Sequence, residues 1–376
     1  MRITGQYQYI GNIRHFIPDP LPPENPPFIL NTEIMALYGD AMLHLGKLNE
    51  MSTSLPDVQR FIKAYIIKEA LLSSAIEGIH TTLLDVYTQP LLEEKPNKNT
   101  QLVMNYTTAL EVALSSIEKD GPIDLEGILA AHKALMELED DEKANPGKLR
   151  NCSVRVGQLI PPPAHLVPPL MADLQQYINN DKTVPALIQA GLAHVQFETI
   201  HPFLDGNGRI GRLLIVLMLI KNGLLAAPIL YPSYYFKKYH MEYYHYLDGV
   251  RMEGDFEGWI IFYLTAIRDS SIDAYKRAKG IETLREQLIQ LITNNNRSPK
   301  APTAKLRALS ILFHYPVIST NLLSEKLEVA YNTAHTIIDD FIELGILEEE
   351  TQQKRGKLFK FKEYLEILDR SYDRKL

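Results

Sequence analysis

The stretch that decides the fold and its chemistry is HPFLDGNGRIGR, residues 201–212. It combines one histidine, one aspartate, one asparagine, three glycines and two arginines within twelve positions. Glycine lets backbone N–H groups approach an anion, because no Cβ stands in the way. Arg209 and Arg212 are three positions apart, so on a helix they point to one side. This composition predicts a phosphate-binding loop.

Two side chains of the stretch suit chemistry next to a bound phosphate. His201 is a candidate general base, because an imidazole titrates near neutral pH with little tuning. Asp205 offers a hard carboxylate oxygen, and Mg²⁺ usually takes one or two carboxylates together with substrate phosphates. The sequence therefore predicts a phosphate cradle with a proton acceptor and a Mg²⁺ ligand at its edge.

The segments on both sides of the loop are predicted to be helices. Residues 185–199 begin with Pro185, a residue that is favoured at the start of a helix. Residues 209–222 are apolar almost all round, as expected of a buried helix. The loop therefore opens a helix N-terminus, whose unpaired N–H groups and dipole favour a bound phosphate.

Three other interpretations of the loop compete with this one. Residues 206–211 match the dinucleotide-binding pattern GxGxxG, but that fold needs a strand before the glycines, and a helix is predicted here. A purely structural corner between two helices has little use for so many charged groups. Metal-dependent hydrolysis through His201 and Asp205 alone is disfavoured, because zinc takes at least three protein ligands.

Length and composition exclude several classes of protein. The chain has 376 residues, which suits two or three domains. The net charge of −7 gives no general attraction to nucleic acid or to an anionic membrane. Cys152 is the only cysteine, so a reducing compartment is expected. No secretory signal and no membrane-spanning stretch are recognised, and we expect a cytoplasmic protein without membrane contact.

The loop at residues 201–212 resembles the signature of the Fic family at every defined position. That signature reads His-Pro-Phe-x-Asp/Glu-Gly-Asn-Gly-Arg-x-x-Arg, and a match of this length is highly specific. The resemblance implies a mainly α fold built on the Fic helical core. It also implies a nucleotidyltransferase, a protein adenylyltransferase that moves AMP from ATP to a hydroxyl side chain of a target protein. ATP is the implied co-substrate and Mg²⁺ the implied cofactor.

The resemblance implies a role for each residue of the loop. His201 would deprotonate the Ser, Thr or Tyr hydroxyl of the target, and Asp205 would hold Mg²⁺. Arg209 and Arg212 would bind the β- and γ-phosphates. The further ATP contacts that the resemblance implies within the loop are Gly206, Asn207, Gly208, Ile210 and Gly211.

A second informative segment, SSAIEG at residues 73–78, ends a predicted helix that runs from about residue 56 to 74. Ser73 and Glu77 are four positions apart and share a helix face, and Gly78 suits the helix end. Alone this is a weak signal, because a glutamate at a helix end is normally solvated.

Beside a Fic signature, residues 73–78 resemble the inhibitory motif of that family, Ser/Thr-x-x-x-Glu-Gly/Asn. The resemblance implies that Glu77 pairs with Arg212 through a carboxylate–guanidinium contact and occupies the γ-phosphate site. The inhibitory residues implied in this way are Ser73, Glu77 and Gly78. The same carboxylate is a candidate to position a water for the reverse reaction, removal of AMP.

Two further regions are candidate parts of the site. Residues 151–162 alternate and contain a glycine, which predicts a small β-hairpin. The resemblance implies that it is a flap that holds a target segment at residues 153–162 by strand-like pairing. The flap residues placed against the nucleotide are Val156, Gly157, Gln158 and Leu159. Resemblance to the family pattern Tyr-Tyr-x-x-Leu implies an adenine contact by Tyr243, in a region rich in tyrosine.

Three regions are predicted along the chain. They are an N-terminal arm with the inhibitory helix at residues 1–95, a Fic catalytic core at 96–290 and a winged helix–turn–helix domain at 300–376. The polar stretch at 293–303 is broken by proline and marks the last boundary. Residues 1–30 are rich in proline and poorly periodic, so we expect an arm that wraps the surface.

The winged helix–turn–helix prediction rests on three short helices followed by two alternating strands, with Lys354-Arg355-Gly356-Lys357 as the wing. DNA binding by residues 300–376 is one interpretation. Acidic and basic residues balance there, and Asp339 and Asp340 lie on the predicted recognition helix, so protein contact or self-association, including a homodimer, is favoured. The alternative to an enzyme is a nucleotide-sensing regulator that binds DNA through this domain.

Overall fold

The structure is a computed structural model, and it describes residues 2–54, 59–117, 121–137, 145–295, 301–350 and 356–370. Within these residues the fold is mainly helical, as the sequence predicts. The helices are α1 (Thr32–Ser54), α2 (Gln59–Ile76), α3 (Leu83–Thr88), α4 (Lys98–Ser116), α5 (Leu125–Met136), α6 (Val167–Asn180), α7 (Ala186–Ile200), α8 (Asn207–Lys221), α9 (Ser233–Lys238), α10 (His240–Glu253), α11 (Phe256–Asn294), α12 (Ala301–His314), α13 (Thr320–Leu327), α14 (Tyr331–Glu343) and α15 (Lys362–Asp369). The strands are β1 (Gly5–Ile10), β2 (Ile13–Pro18), β3 (Val317–Ser319), β4 (Glu348–Glu349) and β5 (Leu358–Lys360).

The centre of the molecule is the pair α7 and α8, against which α11 and α10 pack. In α7 every residue from Leu187 to Ile200 is buried, so the helix has no solvent face. Helix α11 crosses α7 at Gly191, whose carbonyl accepts a 2.8 Å hydrogen bond from the Trp259 indole. A Cβ at Gly191 would overlap the ring of Tyr263, which explains why the closest approach falls on a glycine.

The N-terminal arm contains an antiparallel strand pair that the sequence analysis did not predict. Strands β1 and β2 pair from Gly5 opposite Pro18 to Ile10 opposite Ile13, and Gly11 turns the chain with φ of 60°. Tyr7 and Tyr9 alternate along β1 as a strand requires, but the prolines that follow hid this pattern. The arm expected for residues 1–30 thus contains a regular strand pair at residues 5–18.

The predicted hairpin at residues 151–162 is also corrected. The structure has only a tight turn there, closed by two 2.9 Å backbone hydrogen bonds between Val156 and Leu159. Gly157 occupies the turn with φ of 58°, a conformation that suits glycine. Three consecutive prolines, residues 161–163, lack the N–H that a longer strand ladder needs, so the pairing stops at one bridge.

The C-terminal region combines helices α12 to α15 with an antiparallel sheet in the order β3-β5-β4. Helices α12 to α14 and strands β4 and β5 correspond to the three helices and two strands that the sequence predicts. Strand β3 and helix α15 were not predicted. Lys354 and Arg355 of the predicted wing lie outside the described residues, as does part of the predicted boundary at 293–303.

None of the helices in the described residues combines the length and the apolar character that crossing a membrane requires.

Candidate functional site

The loop at residues 201–212 connects the end of α7 to the start of α8. His201 ends α7 in the left-handed conformation, with φ of 50°, and its N–H donates to the Phe197 carbonyl over 2.9 Å. Pro202 explains this geometry, because a residue that precedes proline disfavours the helical region. The helix therefore stops at the histidine and holds its ring at the edge of the loop.

Asn207 closes the loop on itself. Its side-chain oxygen accepts from the Phe203 N–H over 2.8 Å, and its side-chain NH₂ donates to the Phe203 carbonyl over 2.9 Å. Gly206 precedes α8 with φ of 80°, and no side chain of the described residues caps the helix. Helix α8 begins at Asn207, two positions before the predicted start. Its first N–H groups therefore face the loop without a side-chain cap.

Arg209 is a buried cation with unused donors. Its side chain is 1% exposed, and one terminal nitrogen lies 3.5 Å from Asp205 Oδ1 and 3.4 Å from Met136 Sδ. Its Nε and Nη1 have no hydrogen-bond partner within the described part of the chain. Buried charges are normally paired, so two unused N–H donors beside a helix N-terminus indicate space for an anion.

Arg212 is equally buried, but its Nε and Nη2 both donate hydrogen bonds. Its Nε donates to Ser73 Oγ, and its Nη2 donates to the Ser73 carbonyl, both over 2.9 Å. Nη2 also contacts Glu77 Oε1 at 2.7 Å. Although burial lowers it, the Glu77 carboxylate brings the pKa of Arg212 above its usual value. The structure thus places Ser73 and Glu77 on the arginine that the family resemblance selects.

Glu77 lies directly above the first turn of α8. A Cβ added to Gly208 would overlap Glu77 Oε1 and would come within 2.9 Å of Arg212 Nη1. Glycine is therefore needed at this position for the carboxylate to approach the backbone. The carboxylate occupies the region where an anion bound to the helix N-terminus would sit.

The turn after α2 aims Glu77 at this position. The Glu77 and Ile79 N–H groups both donate to the Ser74 carbonyl over 3.0 Å, and Gly78 has φ of 76°. A left-handed glycine after a helix is the usual way to end it. The predicted helix end and the predicted position of Gly78 agree with this geometry.

The imidazole of His201 is neutral at physiological pH in this setting. Burial lowers its pKa to about 4, and the positive charge of Arg251 acts in the same direction. Its Nδ1 is buried and has no partner among the described residues. A neutral imidazole keeps one unprotonated nitrogen, and its ring is partly exposed, so it can accept a proton from a hydroxyl placed beside it.

His132 is a site residue that the sequence analysis did not recognise. Its Nδ1 accepts from the Gly147 N–H and its Nε2 contacts the Asp205 carbonyl, both at 3.0 Å. Because Nδ1 is the acceptor, the proton lies on Nε2 and donates to Asp205. The ring stacks on Phe203 with centroids 3.7 Å apart. A single histidine in a predicted helix gives no signal of this role.

Arg150 was also missed, and it connects the turn region to the loop at residues 201–212. Its guanidinium donates to the carbonyls of His201, Cys152 and Pro162 over 2.6–3.0 Å. Both ends of the segment 151–162 are thereby held at the end of α7. The contact is long-range, and an isolated arginine in a sequence is most often a surface residue.

Tyr243, the residue predicted to contact adenine, is buried in the structure, whereas the next tyrosine is exposed. Tyr243 is 1% exposed, and its hydroxyl lies 2.8 Å from His194 Nε2 in the aromatic core. Its neighbour Tyr244 is 40% exposed. Burial and then the negative charge of Glu77 raise the pKa of Tyr244 to about 12, which places this ring near the carboxylate. Contacts of Tyr243 and of residues 156–159 with a nucleotide stay predictions.

Two more buried carboxyl groups surround the arginines. Burial raises the pKa of Glu69 and of Glu198 to about 7 in each case, against opposing effects that include Arg212. Glu69 accepts hydrogen bonds from the Ser233 hydroxyl and N–H. Glu198 Oε1 has no partner in the described residues. Neither residue was selected from the sequence, because their approach to Arg212 is set by the packing of separate helices.

Asp205 is the one candidate metal ligand of the loop. Its side chain is 66% exposed at the mouth of the site, and Oδ1 accepts from the Gly206 N–H over 2.6 Å. The described residues contain no cluster of three or more His, Cys, Asp or Glu side chains suited to a metal ion. A single exposed carboxylate beside an anion site fits Mg²⁺ held jointly with phosphate oxygens, and does not fit a zinc site.

Comparisons with known proteins agree with this geometry. Residues 122–219 match the model of the Fic/DOC family, and residues 35–115 match that of the Fic/DOC family N-terminal region. The first match contains the whole loop, and the second contains α2 and Glu77.

Curated relatives match parts of the chain. A probable protein adenylyltransferase of Aquifex aeolicus is 45% identical over 65 residues, 17% of this chain and 20% of that protein. Protein adenylyltransferase Fic of Drosophila erecta is 28% identical over 232 residues, 60% of this chain and 44% of that protein. The chain thus matches less than half the length of either relative.

Solved structures share the fold. A Fic family protein from Desulfovibrio desulfuricans superposes with a TM-score of 0.57 at 24% identity, over 89% of this chain and 98% of that one. A Fic domain containing signalling protein from Bacteroides thetaiotaomicron gives 0.51 at 20% identity, over 66% and 97%. Residues 35–115 and 122–219 are therefore similar in sequence to the Fic/DOC family, and the chain shares the fold of these two solved structures.

Proposed function

We propose that the chain is a protein adenylyltransferase that transfers AMP from ATP to a Ser, Thr or Tyr hydroxyl of a target protein. Two curated relatives carry the name protein adenylyltransferase, one of them as probable. The observation that carries the proposal is the pair of unused N–H donors on buried Arg209, beside the uncapped start of α8. They suit the β- and γ-phosphates of ATP bound between Arg209 and Arg212.

The proposed reaction needs one base and firm positioning. The target hydroxyl loses its proton to the unprotonated nitrogen of the His201 ring, and its oxygen forms a bond to the α-phosphorus. The bond from the α-phosphorus to the bridging oxygen breaks, and diphosphate leaves with the electron pair. The two arginines hold the leaving diphosphate, so charge stabilisation supplies most of the rate.

In this proposal Mg²⁺ is held by Asp205 and the phosphates. When bound, the ion would neutralise part of the triphosphate charge. The carboxylate of Asp205 is exposed, and its Oδ1 accepts from the Gly206 N–H and lies 3.5 Å from Arg209 Nη2. The protein therefore offers one oriented oxygen ligand, as a site shared with substrate phosphates requires.

We further propose that Glu77 inhibits the enzyme in cis. Its carboxylate contacts Arg212 and lies over Gly208, so a γ-phosphate at that place would meet a like charge. The side chain is 33% exposed, which leaves room for it to swing away. The same exposure would let the carboxylate hold a water for removal of AMP.

The target segment is proposed to lie on residues 153–162, held to the loop by Arg150.

For the C-terminal region we propose a winged helix–turn–helix domain, and the order of its helices and its three-stranded sheet supports this. Exposed residues of α14 include Asp339 beside His335, and such a face does not attract DNA phosphates. The domain limits 1–95, 96–290 and 300–376 stay predictions, as does a homodimer.

The test is incubation of the full chain with labelled ATP and Mg²⁺. We expect self-labelling to rise at least about tenfold in Glu77→Gly, because losing a like charge at the phosphate site is worth over about 1 kcal/mol. His201→Ala in that background should abolish labelling, and peptide mass spectrometry should find AMP on hydroxyl side chains. Equal labelling of all three forms would contradict both residue roles.

A further inference from the structure

Helix α2 carries a polar stripe that continues well beyond the proposed inhibitory residues. Tyr65, Glu69, Ser73 and Glu77 recur every four positions, and Lys68 lies three positions after Tyr65 at the edge of the same face. Together these side chains contact α8, α9, α11 and α15. The stripe therefore fixes the rotation and the axial position of α2 at several points along its length.

The contacts of the stripe with the Fic core lie at its two ends and in its middle. The Tyr65 hydroxyl donates to the Ala274 carbonyl of α11 over 2.8 Å. Glu69 accepts from Ser233 at the start of α9. Ser73 and Glu77 contact Arg212, as described above. Between these contacts lies Lys68, whose ammonium lies over the ring of the core residue Tyr231, 5.6 Å from the ring centroid.

Lys68 also contacts the C-terminal region. Its ammonium donates to the Leu368 carbonyl in the last turn of α15 over 2.6 Å. Arg277 of α11 donates to the carbonyls of the same turn, with 2.6 Å to Ile367 and 2.6 Å to Arg370. Two cations thus bind the C-terminal end of α15, where the helix leaves carbonyl groups unpaired and the dipole is negative.

We call Lys68 and Arg277, the two residues that bind the C-terminal end of α15, the α15 clamp. Both side chains are buried. Lys68 is 8% exposed and Arg277 is 6% exposed. Asp273 pairs with Arg277 at 2.6 Å and also accepts from the Tyr231 hydroxyl, so the guanidinium is held in place before α15 docks. Burial and then the neighbouring Arg277 charge lower the pKa of Lys68 to about 7. A buried cation of this kind needs the carbonyls of α15 as partners.

A second contact between α2 and the C-terminal region lies at the end of α12. A pocket of about 380 Å³ that opens to solvent lies there between α2, α4 and α12, lined by Ile62, Ile66 and His314 among others. Lys63 lies over the Tyr315 ring at 5.0 Å across the same boundary. The buried hydrogen bonds to the end of α15 therefore add to a contact that is partly open to solvent.

We propose that the C-terminal region controls the catalytic site through α15. Docked on Lys68 and Arg277, it holds α2 in the position that keeps Glu77 on Arg212. Its withdrawal removes the contact that Lys68 makes in the middle of α2, and Glu77 lies nine residues, about 14 Å, further along that helix. Binding of a partner to the C-terminal region would then raise the activity. This inference rests on the proposed function of Glu77.

The test measures self-labelling with labelled ATP in the full chain carrying Lys68→Met, Arg277→Met or both. Methionine keeps length and apolar contact but removes the donors. We expect each single variant to label about fivefold faster than wild type, a change of about 1 kcal/mol in the docking equilibrium. In the Glu77→Gly background the same substitutions should cause no further rise, because the inhibitory carboxylate is already absent.

Two controls make the outcome unambiguous. Lys305→Met removes a cation that pairs with Asp340 inside the C-terminal region, and it should leave labelling unchanged. Hydrogen exchange of residues 61–76 should become faster in Lys68→Met and not in Lys305→Met, which reports the release of α2 without reference to activity. If Arg277→Met does not fold, hydrogen exchange in Lys68→Met still tests the proposal.

Each other result overturns a specific statement. If Glu77→Gly raises labelling but the clamp variants neither label faster nor exchange faster, control by the C-terminal region is refuted and the proposed function stands. If the clamp variants label faster in the Glu77→Gly background too, the route through Glu77 is refuted. If Glu77→Gly itself does not raise labelling, the proposed role of that glutamate fails.

Discussion

Arg212 determines the behaviour of the candidate site at the scale of single residues. It is buried, and among its described partners the two oxygens of Ser73 are neutral while only Glu77 carries a charge. Removing the sole anionic partner of a buried cation is costly unless another anion takes its place. A triphosphate supplies such an anion. Exchange between the carboxylate and a phosphate at one guanidinium is therefore the physical basis of the proposed inhibition.

His132 is expected to position the loop. His132→Phe keeps a ring to stack on Phe203 but loses the hydrogen bonds to Asp205 and Gly147. We expect labelling in the Glu77→Gly background to fall roughly 10-fold, and the Mg²⁺ concentration for half-maximal rate to rise, because partners behind a metal ligand orient it. Lost rate without a change in Mg²⁺ dependence would contradict this role.

Glu198 gives a pH-dependent stability with a defined sign. Burial raises its pKa to about 7 in the folded chain, against 4.5 for an ordinary glutamate. Between these values the unfolded chain binds fewer protons, so this group lowers the free energy of unfolding as pH rises. Glu198→Gln lacks the titration, and we expect its stability relative to wild type to grow from pH 4.5 to pH 7 and then level off.

Urea unfolding of wild type and Glu198→Gln at pH 5, 6 and 8 measures this difference. The expected slope approaches about 1.4 kcal/mol per pH unit within the window. Glu343→Gln, at an exposed position of α14, is the matched control and should show no such trend. A difference between Glu198→Gln and wild type that stays constant over this pH range would show that the carboxyl is ionised throughout.

At the scale of elements, secondary structure was predicted best where the sequence pattern is continuous and extends over many residues. Helices α7 and α8 and the loop between them carry such patterns, in continuous apolar runs and a twelve-residue signature. The end of α2 was also placed well, since Gly78 fixes it. Short strands were less predictable: β1 and β2 were missed, and the hairpin at 151–162 was predicted where only one bridge forms.

Short strands are hard to predict because each one forms only where another segment of backbone is available to pair with it. The Phe16 N–H of β2 donates to the Ile160 carbonyl over 2.9 Å, and the His15 ring contacts the Pro161 carbonyl at 2.7 Å. Residues 5–18 and 151–162 therefore support each other across a long separation in sequence. His132 and Arg150 were missed for the same reason, because each acts on backbone that lies far away along the chain.

At the scale of the whole molecule, the regions that the sequence separates are connected through α2. This helix contacts the loop through Ser73 and Glu77 and contacts α15 through Lys68. Composition and periodicity predict that several regions exist, but they do not predict which buried donor meets which carbonyl. The link between the C-terminal region and the phosphate site therefore emerges only from the assembled chain.

The most direct test of the central claim is a crystal structure of the Glu77→Gly variant with a non-hydrolysable ATP analogue and Mg²⁺, compared with the wild type under the same conditions. We expect the triphosphate to contact Arg209 and Arg212 above Gly208, with the Glu77 carboxylate displaced or disordered wherever nucleotide binds the wild type. An analogue bound in another cavity, with Arg209 and Arg212 free of phosphate in both proteins, would contradict the account.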